Sequence, residues 1–468
     1  MRLRVTSFSP RRSPSGPCLG ALACLAIASI SHAGWQYESV ESDGSTGEHT
    51  SIAIDSANRP HIVYYNNTEG GLKHAYWDGA IWHREMVDAG DNVGWWTSLA
   101  IDADDHLHVS YQDFPNSALE YARWDGTAWS TQTIDSDGYV GDYTSIALDS
   151  DGQPHISYRN ESNGALKYAH WDGAVWQIEF VDDGGVGAWS SIALDEQDRP
   201  RIAYCDYTSN DLKYAAWDGS AWQVETVDSD GAVGLWLSMD LDESDRPHIS
   251  YCDGDVYDLR YAYWNGSSWD LETANTSGFM GWFSSIAVDS SNRPHVSCWD
   301  LSNNDLIYAR RDPGGWQIET VHSTLDVGNW TSIAVDSNDD PHISYEYNYY
   351  GDLYYAYNEA TSGLGFGQES APSIAMLGTP TPNPFRSSTS LDFRLEAAAV
   401  VRVEIVDVNG RRVRTLADGL TSAGDHEVRW DGRDDGGREL VGGVYFMRVQ
   451  ANGSAESRAV VLTGAASR

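Results

Sequence analysis

The chain has 468 residues, 41% hydrophobic and 21% charged, a balance that excludes global disorder and leaves room for two or three domains. Its formal charge of −39 excludes nucleic acid and anionic membrane surfaces as partners, because both demand basic protein surface. Trp (20) and Tyr (26) are abundant, and most of them fall within a repeated segment.

Residues 1–33 read as a secretory signal. Arg2, Arg4, Arg11 and Arg12 give a basic start, Leu19 to Ile30 a short apolar run, and Ser31-His32-Ala33 a small-x-Ala cleavage site before Gly34. The run is shorter than the roughly 18 apolar residues of a membrane anchor, so no membrane-spanning segment is expected. Cleavage removes four arginines and no acids, taking the charge from −39 to −43. The mature chain is expected to be secreted, extracellular or held at the cell surface. Cys205 and Cys252 hold equivalent repeat positions and Cys298 is shifted by one. With an odd count and no close spacing they read as buried free thiols.

The phrase Thr50-Ser51-Ile52-Ala53-Ile54-Asp55 returns, with small substitutions, from Thr97, Thr144, Ser190, Leu237, Ser284 and Thr331, at offsets of 46 or 47 residues. Each repeat holds four strand-like runs, as the third shows. Ser145 to Asp149 alternates with period two, and Pro154 to Tyr158 follows a polar turn. Leu166 to Trp171 comes next, and Asp172-Gly173 turns tightly into Val175 to Phe180. Four short strands every ~40–50 residues are the pattern of a β-propeller blade. After the signal stands an unaccompanied fourth strand, Gly34 to Val40, while the last repeat supplies three strands ending near Tyr357-Asn358. The N-terminal strand is therefore expected to complete the last blade, giving an all-β, seven-bladed β-propeller over residues 34–358 with no open edge.

In such blades the loops from fourth to next first strand, and from second to third, share one face. The inter-blade loops end on His49, Trp96, Tyr143, Trp189, Trp236, Phe283 and Trp330. The second-to-third loops open on Asn66, Asp113, Asn160, Asp206, Asp253, Asp300 and Tyr347, and the third strands carry Lys73, Lys167, Lys213 and Arg260. A sugar needs such a set: its apolar face stacks on an aromatic ring while its hydroxyls take fixed donors and acceptors. All but His49, Asn66, Tyr347 and Lys73 are taken as candidate ligand-binding residues. Every one has a second reading, since a residue repeated in each blade can serve the blade itself by wedging sheets or capping turns.

His61, His108, His155, His248, His295 and His342 stand one per blade, with Arg201 in the remaining one. So spread, they do not converge on a metal, and are expected to bond a neighbouring blade. Asp135 to Gly138 and Asp228 to Gly231 are shorter than a full calcium loop, so no cofactor is expected, and calcium is the one cation the pattern admits. No acid pair, Gly-x-Ser-x-Gly or His-Glu-x-x-His marks a reaction centre, and no catalytic residue is assigned.

The run Ile156-Ser157-Tyr158, Leu166-Lys167-Tyr168-Ala169, Trp171-Asp172-Gly173 and Trp176 resembles repeats of secreted bacterial propellers grouped with fucose-specific lectins and sialidase-like proteins. The resemblance covers residues 34–358 and implies glycan recognition. The third-to-fourth turn is similar to the sialidase Asp box but one residue shorter. Arg59, Arg199, Arg246 and Arg293 fall in first-to-second turns, on the face opposite a sialidase's arginine triad. The expectation is a non-enzymatic, monomeric binding protein for glycans. The alternatives are a sialidase-like glycoside hydrolase, and a scaffold for surface proteins built around Tyr345, Tyr347, Tyr349 and Tyr350.

A linker at 359–381 precedes a change in composition. Pro382-Asn383-Pro384-Phe385, Val408-Asn409-Gly410-Arg411, Trp430-Asp431-Gly432 and Gly442 to Phe446 resemble the immunoglobulin-like C-terminal domain named after the flagellar hook-capping protein, and are similar to type IX sorting domains. Strands are expected near Ser390 to Leu395, Val400 to Asp407, His426 to Trp430 and Gly443 to Val449, with Asn409-Gly410 as a hairpin turn. The resemblance implies a sorting or attachment role for residues 382–468, with secretion machinery as partner. The tail from Thr463 to Arg468 departs from the sorting pattern.

Overall fold

Period-two alternation and Asp-Gly turns fold each repeat into an antiparallel four-stranded sheet. The computed structural model describes residues 34–323, 326–348, 351–358, 374–395, 399–406, 411–422, 424–451 and 454–463. The expected signal (1–33), the linker as far as residue 373, Tyr349 and Tyr350, the Asn409-Gly410 turn and residues 464–468 lie outside the described residues. Blade three consists of Val140–Leu148, Pro154–Asn160, Ala165–Trp171 and Trp176–Asp182, hydrogen-bonded in that order. Its last turn is built by Asp172, whose Oδ1 accepts the N–H groups of Ala174 and Val175 at 2.9 Å each. Gly173 there has a φ of 91°, which a side chain would strain.

Seven such sheets form the propeller, and each first strand touches the first strands of both neighbours in an unbroken circuit. The seventh sheet is composite. Asn329–Val335, Pro341–Tyr347 and Asp352–Tyr357 are completed by Gln36–Glu41, with Tyr37 opposite Ala356 and Ser39 opposite Tyr354. The N-terminal strand thus closes the ring. Because a blade covers each face of the next, a second strand such as Pro154–Asn160 is buried at every residue, while the fourth strands form the exposed rim.

Blades are tied by a buried polar contact. The carboxylates of Asp88, Asp135, Asp182 and Asp228, which end fourth strands, accept the hydroxyls of Tyr111, Tyr158, Tyr204 and Tyr251 on the next blade, each at 2.7 Å. Lys167 pairs with Asp135, Lys213 with Asp182 at 2.8 Å, and Arg260 with Asp228 at 3.2 Å. At the closing joint Glu41 replaces the aspartate and binds Tyr64 and Lys73. The opposite face has its own tie: Ser56 donates N–H and hydroxyl to Asp105 of the next blade at 2.9 and 2.7 Å, as Ser150 does to Asp198.

The strand-start histidines bond within their own blade, contrary to expectation. His108 meets Tyr121 at 2.7 Å, His248 meets Tyr261 at 2.6 Å and His295 meets Tyr308 at 2.7 Å, each across second and third strands. In blade one His74 stands in the tyrosine's place, 3.0 Å from His61. Cys205, Cys252 and Cys298 are buried and unbridged, and burial pushes the Cys205 thiol up to about 12.

The C-terminal module is an immunoglobulin-like pair of sheets. One holds Ile374–Leu377, Thr389–Leu395 and Gly424–Trp430, the other Arg412–Thr421, Ala399–Val406, Gly443–Ala451 and Ser454–Leu462. Phe393, Val403, Ile405, Trp430, Met447 and Val460 pack between them.

Asp135→Ala leaves Lys167, 5% exposed, without its carboxylate. The expected loss is about 3–5 kcal/mol in urea denaturation, and a loss under about 1 kcal/mol would refute the tie as a determinant of stability. At the closing joint, burial first and Glu48 second push the Glu346 carboxyl up to about 8. Folded Glu346 therefore keeps its proton to higher pH than the unfolded chain, so its contribution is full below 4.5 and is lost as pH rises through about 8. Glu346→Gln should raise the melting temperature by at least about 2 °C near pH 9 and leave it unchanged near pH 4.5.

Candidate functional site

The residue just before each repeated Thr/Ser lies at a break in the ladder, as between Asp142 and Ser145, where the first strand shifts register against the second. There His49, Trp96, Tyr143, Trp189, Trp236, Phe283 and Trp330 adopt φ values of 46–53°. A side chain in this left-handed region costs about 1 kcal/mol or more, so the surrounding sheets impose the conformation. Its effect is to aim seven rings at the axis. Successive centroids are 4.2 Å apart for Trp96 and Tyr143, 5.3 Å for Tyr143 and Trp189, and 5.3 Å for Trp189 and Trp236. The circuit continues at 6.0 Å to Phe283, 4.5 Å to Trp330, 3.9 Å to His49 and 4.7 Å back to Trp96. The rings pack on one another and line the mouth of an axial cavity of about 190 Å³.

Below the rings lie two tiers of small side chains, mostly hydroxyls, and these are spent on the scaffold. Thr144 donates to Ser110 at 2.8 Å and Thr331 to Ser297 at 2.8 Å, while Ser51 and Ser98 accept the N–H groups of Leu99 and Ile146 at 3.0 and 3.1 Å. Burial holds the His49 imidazole down at about 3, so the ring carries no positive charge near neutral pH.

The other sequence-predicted residues occupy the same face but serve turns and ties. Asp113 caps Asn116 N–H at 3.0 Å, Asp206 caps Thr208 at 2.8 Å and Asp300 caps Ser302 at 2.8 Å. Asp253 caps Asp255 at 3.0 Å and also meets Arg260 at 3.4 Å, and Asn160 donates to the Asp137 carbonyl at 3.2 Å. Lys167, Lys213 and Arg260 are committed to the inter-blade carboxylates. Of the predicted set, the structure brings only the aromatics together around one space.

Sequence reasoning missed the positions that break the sevenfold pattern. The residue preceding each ring aromatic is Glu48, Trp95, Asp142, Ala188, Leu235, Trp282 or Asn329. Opposite these in register stand Tyr65, Gln112, Arg159, Cys205, Cys252, Trp299 and Glu346. The pairs of blades four to six are thus apolar, those of blades one, three and seven are polar, and Trp95 with Gln112 in blade two is mixed. In the blade-three sector the Gln112 amide donates to Asp142 and to the Val140 carbonyl at 3.1 Å. Arg159 pairs with Glu161 at 2.8 Å and lies 4.8 Å over the Tyr207 ring. Tyr207 in turn meets the Tyr143 hydroxyl at 3.3 Å and the Trp189 ring at 5.1 Å. Burial pushes the Asp142 carboxyl up to about 6. Exposed rings continue outward, with Phe114 stacked 4.8 Å from Trp95 and Phe279 edge-on 5.2 Å from Tyr257. The sequence signal for this site was the departure from the repeat. Among the described residues, no cluster of three or more His, Cys, Asp or Glu is placed to hold a metal ion.

Residues 382–455 match the FlgD Ig-like domain family. No curated protein matches the chain. Among solved structures the chain is similar to an ulvan lyase, a polysaccharide lyase, at 13% identity and a TM-score of 0.52 over 69% of this chain and 96% of that one. A structure of such a lyase bound to -[GlcA(1-4)Rha3S]- is similar at 12% identity and 0.52 over the same shares. A fungal alcohol oxidase in complex with copper is similar at 11% identity and 0.50, over 92% of this chain and 100% of that one. At such identities the likeness is one of fold. It corrects one expectation: a non-enzymatic protein was inferred from missing motifs, yet these structures of similar fold are enzymes, so the missing motifs do not exclude catalysis.

Proposed function

We propose that the chain is an exported carbohydrate-active enzyme that draws a polysaccharide across the aromatic mouth and cleaves its glycosidic bonds. The Ig-like C-terminal module serves secretion or surface attachment. The observation that carries this reading is the break in sevenfold symmetry at Asp142, beside rings that suit sugar stacking. A carboxyl raised to about 6 holds a proton close to neutral pH and can pass it to a leaving glycosidic oxygen. Glu161, held by Arg159, is the companion carboxylate that such cleavage requires. Tyr143, Trp189 and Tyr207 form the platform next to that pair, and Phe114 and Trp95 extend it outward. The likeness of fold to polysaccharide lyases is in keeping with a polymeric sugar substrate.

The full chain is to be incubated with neutral, amine-bearing, sulfated and uronate-containing polysaccharides while new reducing ends are counted. Asp142→Asn should lower kcat at least about 100-fold with little change in KM. The native rate should fall as pH rises above about 6, because Asp142 then loses the proton it must donate. Absence of products from every polysaccharide, or an Asp142→Asn chain as fast as the native one, would overturn the proposal.

A further inference from the structure

The ring closes without the help of chain continuity. In the first six blades a short turn joins the outer strand to the third, whereas in blade seven Gln36–Glu41 arrives from the other end of the chain. Parting it from Asp352–Tyr357 would open the propeller and leave two unpaired edges. The C-terminal module reaches this joint. Val401, Val403 and Ile405 of Ala399–Val406 are fully buried inside the immunoglobulin-like sandwich. Arg402 and Glu404 alternate with them and so stand on the outer face of that sheet, with Arg448 opposite Glu404 in register.

The outer face of a free-standing sandwich is wet, yet Glu404 is 6% exposed. Arg402 donates to Ser42 Oγ at 2.6 Å, one residue beyond the N-terminal strand. Asp352, which begins the third strand of blade seven, answers to the same face. Burial first and Glu404 second push its carboxyl up to about 7, against the pull of Arg402 and Arg448. The module therefore meets both strands of the closing pair. The charges suit the contact. Residues 34–358 hold 14 Lys and Arg against 55 Asp and Glu, while residues 382–468 hold 12 of each. Cations carried on the module meet acid at the propeller, here Asp43 and Asp352.

We propose that the immunoglobulin-like module is a latch on the closing joint: Arg402, holding Ser42 beside Asp352, keeps the N-terminal strand in its sheet. The latch stands apart from the glycan reading and adds a duty within the molecule to the export or attachment proposed for the module. A strand held only by its ladder opens from its free end, and a contact one residue past Glu41 opposes that opening where the strand enters the first blade.

Hydrogen exchange of the full chain, read by mass spectrometry, tests the latch. Arg402→Glu sets like charge against Asp43 and Asp352. It should speed exchange in Gln36–Glu41 at least about tenfold and leave Val140–Leu148 of blade three unchanged. Arg394→Glu makes the same change of charge on the module's other sheet and should leave the strand at its native rate. Ser42→Lys sets two cations together and should loosen the strand alike. Combined with Arg402→Glu, it should return exchange to within about threefold of native. Native exchange in either single variant, an equal effect of Arg394→Glu, or a double variant no slower than the singles overturns the latch. A variant whose Gly443–Ala451 exchanges freely has lost the module outright. Faster exchange of Gln36–Glu41 is then expected, and native exchange there overturns the proposal too.

Discussion

The contact between a fourth-strand carboxylate and a tyrosine of the next blade governs much of this structure. A blade cannot stand alone, because its second and third strands are apolar or buried on both faces and need a sheet on either side. Apolar stacking alone would let one sheet slide over the next. A directional bond from Tyr158 to Asp135, repeated at Tyr111, Tyr204 and Tyr251, fixes the offset between neighbours. It also brings a charge inside, and Lys167, Lys213 and Arg260 answer that charge. Lys167, Lys213 and Arg260 on the loop-rich face are therefore consumed by the joints between blades.

The architecture was legible in the sequence because it depends on period and punctuation. Seven copies of the Thr-Ser-Ile-Ala phrase, Asp-Gly turns and the orphan strand at Gln36–Glu41 contain the blade count and the closure. In the C-terminal module Arg412–Thr421 escaped, since Arg, Asp and Thr within it hide the alternation. The direction of the histidine bonds escaped for another reason. Whether His108 reaches across the sheet to Tyr121 or outward to a neighbour depends on side-chain geometry that spacing does not encode.

The site was half legible. The ring aromatics were found as repeated residues, and two readings, packing and ligand contact, were left open for them. The structure shows why the readings are hard to separate: each ring packs on the next, and the surfaces left over line the cavity. Lys167, Lys213 and Arg260 looked like ligand-facing groups because a cation recurs at that position, yet recurrence is what a joint needs.

Internal repetition is therefore a filter that works in reverse. A position identical in all blades answers a demand that all blades share, which is packing, capping or joining. A position in the same register that varies is free of that demand, and its identity reports on something local. Asp142 stands where other blades have Glu48, Trp95, Ala188, Leu235, Trp282 or Asn329, and Arg159 where they have Tyr65, Gln112, Cys205, Cys252, Trp299 or Glu346. Blades four to six place apolar side chains there at no electrostatic cost. Blade three buries a carboxyl instead and lifts it to about 6, a cost that packing does not recover. With the sevenfold scaffold intact on either side, that cost marks blade three as one of the places where this propeller departs from its own repeat.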